Sequence, residues 1–230
     1  MEQHLTKTNC INCKASPDCF IQQIKNTNNF KQDKKTQITY NKGETLIKEG
    51  NPVTNVLYII QGLVKVYIEG PEKNIIIKIL TPKDFIGLTA LFGGETYYFS
   101  AAALTGTRVC LIERQSIRML MDQCCNFSRE LAKWYCESYN LMLTKCLNLG
   151  LRQLNGKLAN VLLYLSGPEF ANTDVFAHIS RKELGELSGM SMESVVRILS
   201  EFKQEGIVEM KGRKITVKNY NRLKELNKKG

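Results

Sequence analysis

Ser180-Arg-Lys-Glu-Leu-Gly-Glu-Leu-Ser188-Gly-Met-Ser191-Met-Glu-Ser-Val-Val-Arg197-Ile-Leu-Ser-Glu-Phe202 decides the C-terminal half of this 230-residue chain. Ser180 followed three residues later by Glu183 is a capping box: each side chain accepts from the other's backbone N–H, so a helix starts there. Gly189 permits a sharp turn at its end, and Ser191 can cap a second helix. In that helix Val195, Ile198, Leu199 and Phe202 recur at i, i+3, i+4 and i+7, which predicts one buried face. The other face carries Met192, Glu193, Val196, Arg197 and Ser200. Two short helices joined by a glycine turn predict a helix-turn-helix whose second helix can enter a DNA major groove. Beyond it, Ile207–Met210 and Lys214–Val217 flank Lys211-Gly212-Arg213, which reads as a hairpin wing with a basic tip.

The expected DNA contacts are Ser180, Arg181, Ser191, Met192, Glu193, Val196 and Arg197, with Lys211 and Arg213 on the wing. A carboxylate at Glu193 can accept from cytosine N4, and the Arg197 guanidinium can grip guanine O6 and N7. The competing reading of Glu193 and Arg197 is an i,i+4 ion pair worth about 0.2–0.5 kcal/mol. Val196 either packs on a thymine methyl or is a neutral spacer. Charge agrees with a polyanionic partner without proving one: the chain carries +10, and nine Lys or Arg face three acids from Lys203 to the end.

Upstream the texture differs. From about Thr36 to Glu113, short β-branched runs such as Val56–Ile60, Leu63–Ile68, Ile75–Leu80 and Arg108–Ile112 alternate with turn residues including Gly43, Gly50, Gly62, Gly70 and Pro82. This predicts an antiparallel β-roll of the jelly-roll kind. The period then switches to about 3.6, giving a short helix over 115–124 and a long one over roughly Ser128–Gln153. Leu131, Trp134, Tyr135, Leu141, Met142 and Leu149 approximate a heptad seam, read as a parallel helix pair in a homodimer. A further helix covers 154–166 and stops at Gly167-Pro168. The expected class is therefore α+β: a leader over 1–30, a β-roll over 31–114, linker and dimer helices over 115–153, and a winged helix-turn-helix over 154–230.

Eight cysteines bear on chemistry. Cys10, Cys13 and Cys19 sit in the leader, two and five residues apart, and Cys110 lies in the last predicted strand of the roll. Four thiolates suit an iron–sulfur cluster. They also suit an all-cysteine zinc site, and Cys10 and Cys13 suit thiol–disulfide chemistry. Cys124, Cys125, Cys136 and Cys146 are read as small buried hydrophobes with no ligand role. No secretory signal is visible and no apolar run spans a bilayer, so a cytoplasmic protein without membrane contact is expected.

Taken together, these residues resemble the Crp/Fnr family of bacterial transcription regulators over nearly the whole chain. The resemblance rests on the Gly-punctuated roll Gly43–Gly62, the long helix, and Met192-Glu-Ser-Val-Val-Arg197-Ile-Leu before a Lys-Gly-Arg wing. It implies a homodimer on two-fold half-sites of double-stranded DNA that recruits or blocks RNA polymerase, with Glu193 and Arg197 at the base-reading positions. The similarity is greatest to the oxygen-sensing, fumarate–nitrate-reduction type, through Cys10-x2-Cys13-x5-Cys19 and Val109-Cys110. In that type the four cysteines ligate a 4Fe–4S cluster that oxygen or nitric oxide attacks. Val196 departs from the serine usual there. No acidic residue lies on the seam facing Met142, so the helix pair can form without a cluster.

Competing functions are weighed by residue type. Cyclic AMP in this family needs a Gly-Glu-Leu loop and a following Arg-Ser or Arg-Thr pair. Ile86-Gly87-Leu88 lacks the acid and no Arg occurs between Lys83 and Arg108, so a buried phosphate has no guanidinium partner. An enzyme is not expected, because His4 and His178 are the only histidines and build no catalytic set. A same-fold regulator with another effector stays open. So does a protein-interaction module, which unlike a DNA binder would show no steep salt dependence.

Overall fold

The structure is a computed structural model that describes residues 4–8, 35–212 and 214–229. It resolves into two compact units, Met1–Ile68 with Ile79–Ser138, and Glu69–Lys78 with Tyr139–Gly230.

The first unit carries most of the roll. Its strands are β1 (His4–Thr8), β2 (Lys35–Tyr40), β3 (Thr45–Ile47), β4 (Asn55–Gln61), β5 (Val64–Ile68), β6 (Ile75–Leu80), β7 (Phe85–Ile86), β8 (Ser100–Ala103) and β9 (Thr107–Glu113). One sheet runs β1-β2-β9-β4-β7 and the other β3-β8-β5-β6, with antiparallel pairing as expected of a jelly roll. Ile38, Ile59, Val64, Ile86, Ala101 and Val109 come from both sheets and fill the interior between them. Three strands were not legible, one of them the two-residue Phe85-Ile86. Ser100-Ala-Ala-Ala103 lacks the β-branched signature yet is buried throughout, and His4–Thr8 is an edge strand in a polar leader. Both are held by ladder hydrogen bonds, which composition does not report.

Alternate residues of a strand point to opposite faces. Val109 therefore joins the interior of the roll. Its neighbour Cys110 joins Val56, Tyr58 and Ile112 on the outer face of the same sheet. That outer face is covered by α2 (Arg114–Gln123), through Ile117 and Leu120, and by α3 (Cys125–Leu151), through Phe127 and Leu131. A short α1 (Ala90–Gly93) adds Leu91, whose carbonyl accepts from Arg114 at 2.8 Å and also from Arg118.

The second unit is α-rich. Helix α4 (Leu154–Leu165) buries Leu158, Val161, Leu162 and Leu165, and α8 (Tyr220–Lys229) buries Leu223. Between them lie a short α5 (Val175–His178), α6 (Arg181–Ser188), α7 (Met192–Gln204) and the hairpin β10 (Val208–Lys211) with β11 (Lys214–Val217).

Candidate nucleic-acid interface and cysteine site

The capping box starts α6 as the spacing predicts. The Ser180 hydroxyl accepts from the Glu183 N–H at 3.1 Å, and the Glu183 carboxylate accepts from the Ser180 N–H at 2.8 Å. Gly189 closes the helix in the left-handed region at φ 70°, where a side chain is strained. Gly185, which sequence reasoning missed, is needed for a different reason: a Cβ there would sit 2.8 Å from the Met190 carbonyl oxygen. The Ser191 hydroxyl then caps α7, accepting from the Ser194 N–H at 3.2 Å. Val195, Ile198, Leu199 and Phe202 are buried, so the opposite face of α7 is fixed toward solvent.

On that exposed face Met192, Glu193, Val196 and Arg197 stand together. The alternative Glu193–Arg197 pair is not adopted. Arg197 instead pairs with Glu201 at 2.7 Å, one turn further on. Glu193 turns to the helix start, where its own backbone N–H and the Ser191 hydroxyl donate to it and hold its carboxyl below the usual carboxylate range. Glu201 was visible in the sequence at i+4 from Arg197 but carried no separate signal.

Other expected contacts are more occupied. The Ser180 hydroxyl is committed to its capping box. Arg181 is half-buried, with a guanidinium nitrogen 3.7 Å from the Met210 sulfur of the wing, and burial pushes its pKa down. In the wing hairpin Lys211 stands opposite Lys214, and Gly212 is at φ 60°. Lys218 and Lys211 both engage Glu209, at 2.8 and 3.2 Å, and hold its carboxyl below the usual range. Arg213 lies outside the described residues.

Cys110 is 6% exposed, on the outer face of β9 under α2 and α3. Cys10, Cys13 and Cys19 lie outside the described residues, but the strands on either side of them are placed. β1 ends at Thr8 opposite Lys35 of β2, and β2 pairs Gln37 with Cys110. Thr8 therefore stands two strands over and about two residues along from Cys110. That is about 12 Å at the usual strand spacing and rise. Cys10 follows within about 7 Å of extended chain. The spacing of Thr8 from Cys110 is thus short enough for the intervening leader to return to β9.

The expected dimer seam requires correction. Leu131 is buried against the roll, and Trp134 and Tyr135 pack beside it, with the Tyr135 hydroxyl donating to the Leu88 carbonyl at 2.5 Å. Leu141 lines a cavity of about 150 Å³ with Asn160, Val161, Tyr164 and Leu187. Leu149 lies against Gly189, where a Cβ would meet it at 2.4 Å. Five of the six residues thus face their own chain, and only Met142 is exposed, at 40%. The helix is apolar on two faces, and the sequence pattern caught the inward one. Cys125, Cys136 and Cys146, expected to be buried, are exposed instead.

A winged helix-turn-helix joined to a jelly roll and a long helix is the architecture of a DNA-binding regulator. Residues 37–124 match the cyclic nucleotide-binding domain, and residues 156–226 match the Crp-like helix-turn-helix domain. The chain is 24% identical over 220 residues to the transcriptional activator protein Anr of Pseudomonas aeruginosa, covering 93% of this chain and 90% of that one. It is 29% identical over 183 residues to the cAMP-activated global transcriptional regulator CRP of Salmonella typhimurium, covering 77% and 87%. The solved structure of FixK2 from Bradyrhizobium japonicum superposes with a TM-score of 0.76 at 26% identity, over 84% of this chain and 97% of that one. The chain belongs to the Crp/Fnr family and is a DNA-binding transcription regulator. Among the described residues, no helix is long and apolar enough to cross a membrane.

Proposed function

We propose that this regulator works as a cytoplasmic homodimer on two-fold DNA half-sites, acting on RNA polymerase, and that a 4Fe–4S cluster on Cys10, Cys13, Cys19 and Cys110 sets its activity. The carrying observation is the place of Cys110. Its sulfur lies on the one face of β9 that contacts α2 and the start of α3, while the cysteine-bearing segment is strung between two strands of the same sheet. When bound, the cluster supplies an oxidant-labile centre. The chain's own part is to bury the Cys110 ligand against Ile117, Leu120 and Leu131, so that a change at β9 presses on the root of the long helix.

On the DNA side, Arg197 and Glu193 read base edges, Met192 and Val196 contact them apolarly, and Ser191, Arg181 and the wing residues Lys211 and Arg213 steer toward phosphate. Ser180 serves mainly to cap α6. Cyclic AMP is not proposed as effector. The roll interior is filled by apolar side chains, and the strand where a phosphate-binding arginine would be needed reads Ser100-Ala-Ala-Ala103.

Anaerobic purification with iron and sulfide analysis tests the cluster. A brown protein with about four iron per chain that bleaches in air, and a Cys110→Ser variant that loses the iron, are expected. A colourless protein holding zinc overturns the cluster reading and leaves the DNA-binding assignment intact.

A further inference from the structure

We propose that a cavity inside the second unit is a binding site for a small apolar monocarboxylate, with Lys145 as its anion anchor. The inference needs neither the cluster nor the dimer.

The cavity holds about 150 Å³. Its walls come from β6, from the part of α3 beyond Tyr139, from α4 and from α6, all within the second unit. Ile77, Leu141, Val161 and Leu187 make those walls mostly apolar. An apolar cavity of about this volume holds a benzene-sized body. Among the described residues that line it there is no carboxylate, and Lys145 is the one charged group.

Lys145 decides the chemistry of the guest. Its ammonium carries three N–H donors. Among the described residues the fold supplies it with one acceptor, the Leu187 carbonyl. Burial without an anion lowers its pKa to about 8 from 10.5, so the amine is still mostly charged at neutral pH. A carboxylate beside it offsets that cost and accepts a charge-assisted hydrogen bond. The Asn160 amide lines the same cavity and can donate to the same anion. The Thr144 hydroxyl already donates to the Asn140 carbonyl at 3.0 Å, so it has no proton to offer. A cationic guest is repelled by Lys145. A neutral apolar guest excludes water from the ammonium without replacing its hydrogen bonds. The acid that fits has roughly six to nine non-hydrogen atoms, the size of isovalerate or benzoate.

Leu187 belongs to α6, the first helix of the DNA-binding motif. A guest that touches α3, α4 and α6 together holds α6 against its neighbours, and amide exchange along α6 slows when the site fills.

Calorimetric titration of the full chain, purified without oxygen, tests this with benzoate and isovalerate, and with benzamide as the neutral isostere of benzoate. Wild type is expected to bind one benzoate per chain at least tenfold more tightly than benzamide, with slower hydrogen exchange over Leu184–Ser188. Lys145→Met should erase the preference for the acid while circular dichroism stays helical. Leu141→Trp fills the cavity with Lys145 intact and should weaken both acids at least tenfold, which keeps the test decisive if Lys145→Met does not fold. No saturable binding of either acid to wild type overturns the proposal, and so does equal binding of benzoate and benzamide. A preference that survives Lys145→Met, or binding that survives Leu141→Trp, places the site elsewhere and also overturns it. The DNA-binding assignment stands under every one of these results.

Discussion

Replacing Arg197 with alanine is expected to weaken binding to a two-fold site far more than binding to random DNA. In the free protein its side chain is 59% exposed and its guanidinium is paired with Glu201 at 2.7 Å. An exposed i,i+4 pair of this kind is worth about 0.3–0.5 kcal/mol. A bidentate guanine contact discriminates by about 1–3 kcal/mol. Releasing Glu201 therefore leaves a net gain of roughly 0.5–2.7 kcal/mol per half-site. Two half-sites double this to about 1–5 kcal/mol, or roughly five- to several-thousand-fold in affinity. The same competition makes a second, opposite prediction: Glu201→Gln frees the guanidinium and raises the ratio of specific to random binding by about three- to fivefold across both half-sites. Fluorescence anisotropy on a two-fold site, on the same site with one G·C pair changed, and on random DNA separates these effects at fixed salt. Equal losses for Arg197→Ala on all three duplexes would refute base readout and reduce Arg197 to a phosphate contact.

Three further outcomes follow from the same structure. Leu143→Glu should weaken dimerisation by at least about 2 kcal/mol, because it buries a carboxylate against its own copy. Sedimentation checks this, and an unchanged dimer would place the seam elsewhere. Lys145 donates to the Leu187 carbonyl, and burial lowers its pKa to about 8 from 10.5. Between those values the unfolded chain binds more protons, so this group's stabilisation is full above 10.5 and lost as pH falls through about 8. The stability gap between wild type and Lys145→Met should therefore move toward wild type by up to about 3 kcal/mol over that window in urea titrations, and a flat gap argues against a buried amine. Ser180→Ala should cost about 1 kcal/mol of stability through the lost cap while leaving the DNA affinity of the folded protein at fixed salt unchanged. An equal loss of affinity on specific and random DNA would restore Ser180 to the phosphate contacts.

The local part of this protein is readable from order alone. A capping box, a glycine turn and an i, i+3, i+4, i+7 stripe require only neighbours along the chain, so both helices of the DNA-binding motif and the buried set Val195, Ile198, Leu199 and Phe202 follow from spacing. The partners of Arg197 and Glu193 were less legible, because several carboxylates and donors lie within reach and only geometry chooses among them. Ser100–Ala103 and His4–Thr8 escaped because their strands are made by pairing across the sheet and not by their own residues.

The long helix marks the boundary most clearly. Periodicity established that it is apolar along its length. It could not establish which of two apolar faces meets the chain's own body, since both stripes satisfy the same helical repeat. Packing decided that Leu131, Trp134, Tyr135, Leu141 and Leu149 turn inward. Cys136, Tyr139, Leu143 and Cys146 are thereby left outside. The position of Cys110 has the same character. Its sequence neighbours placed it on a strand, but the side of the sheet it occupies, and hence what it can press upon, depends on the helices folded over that side.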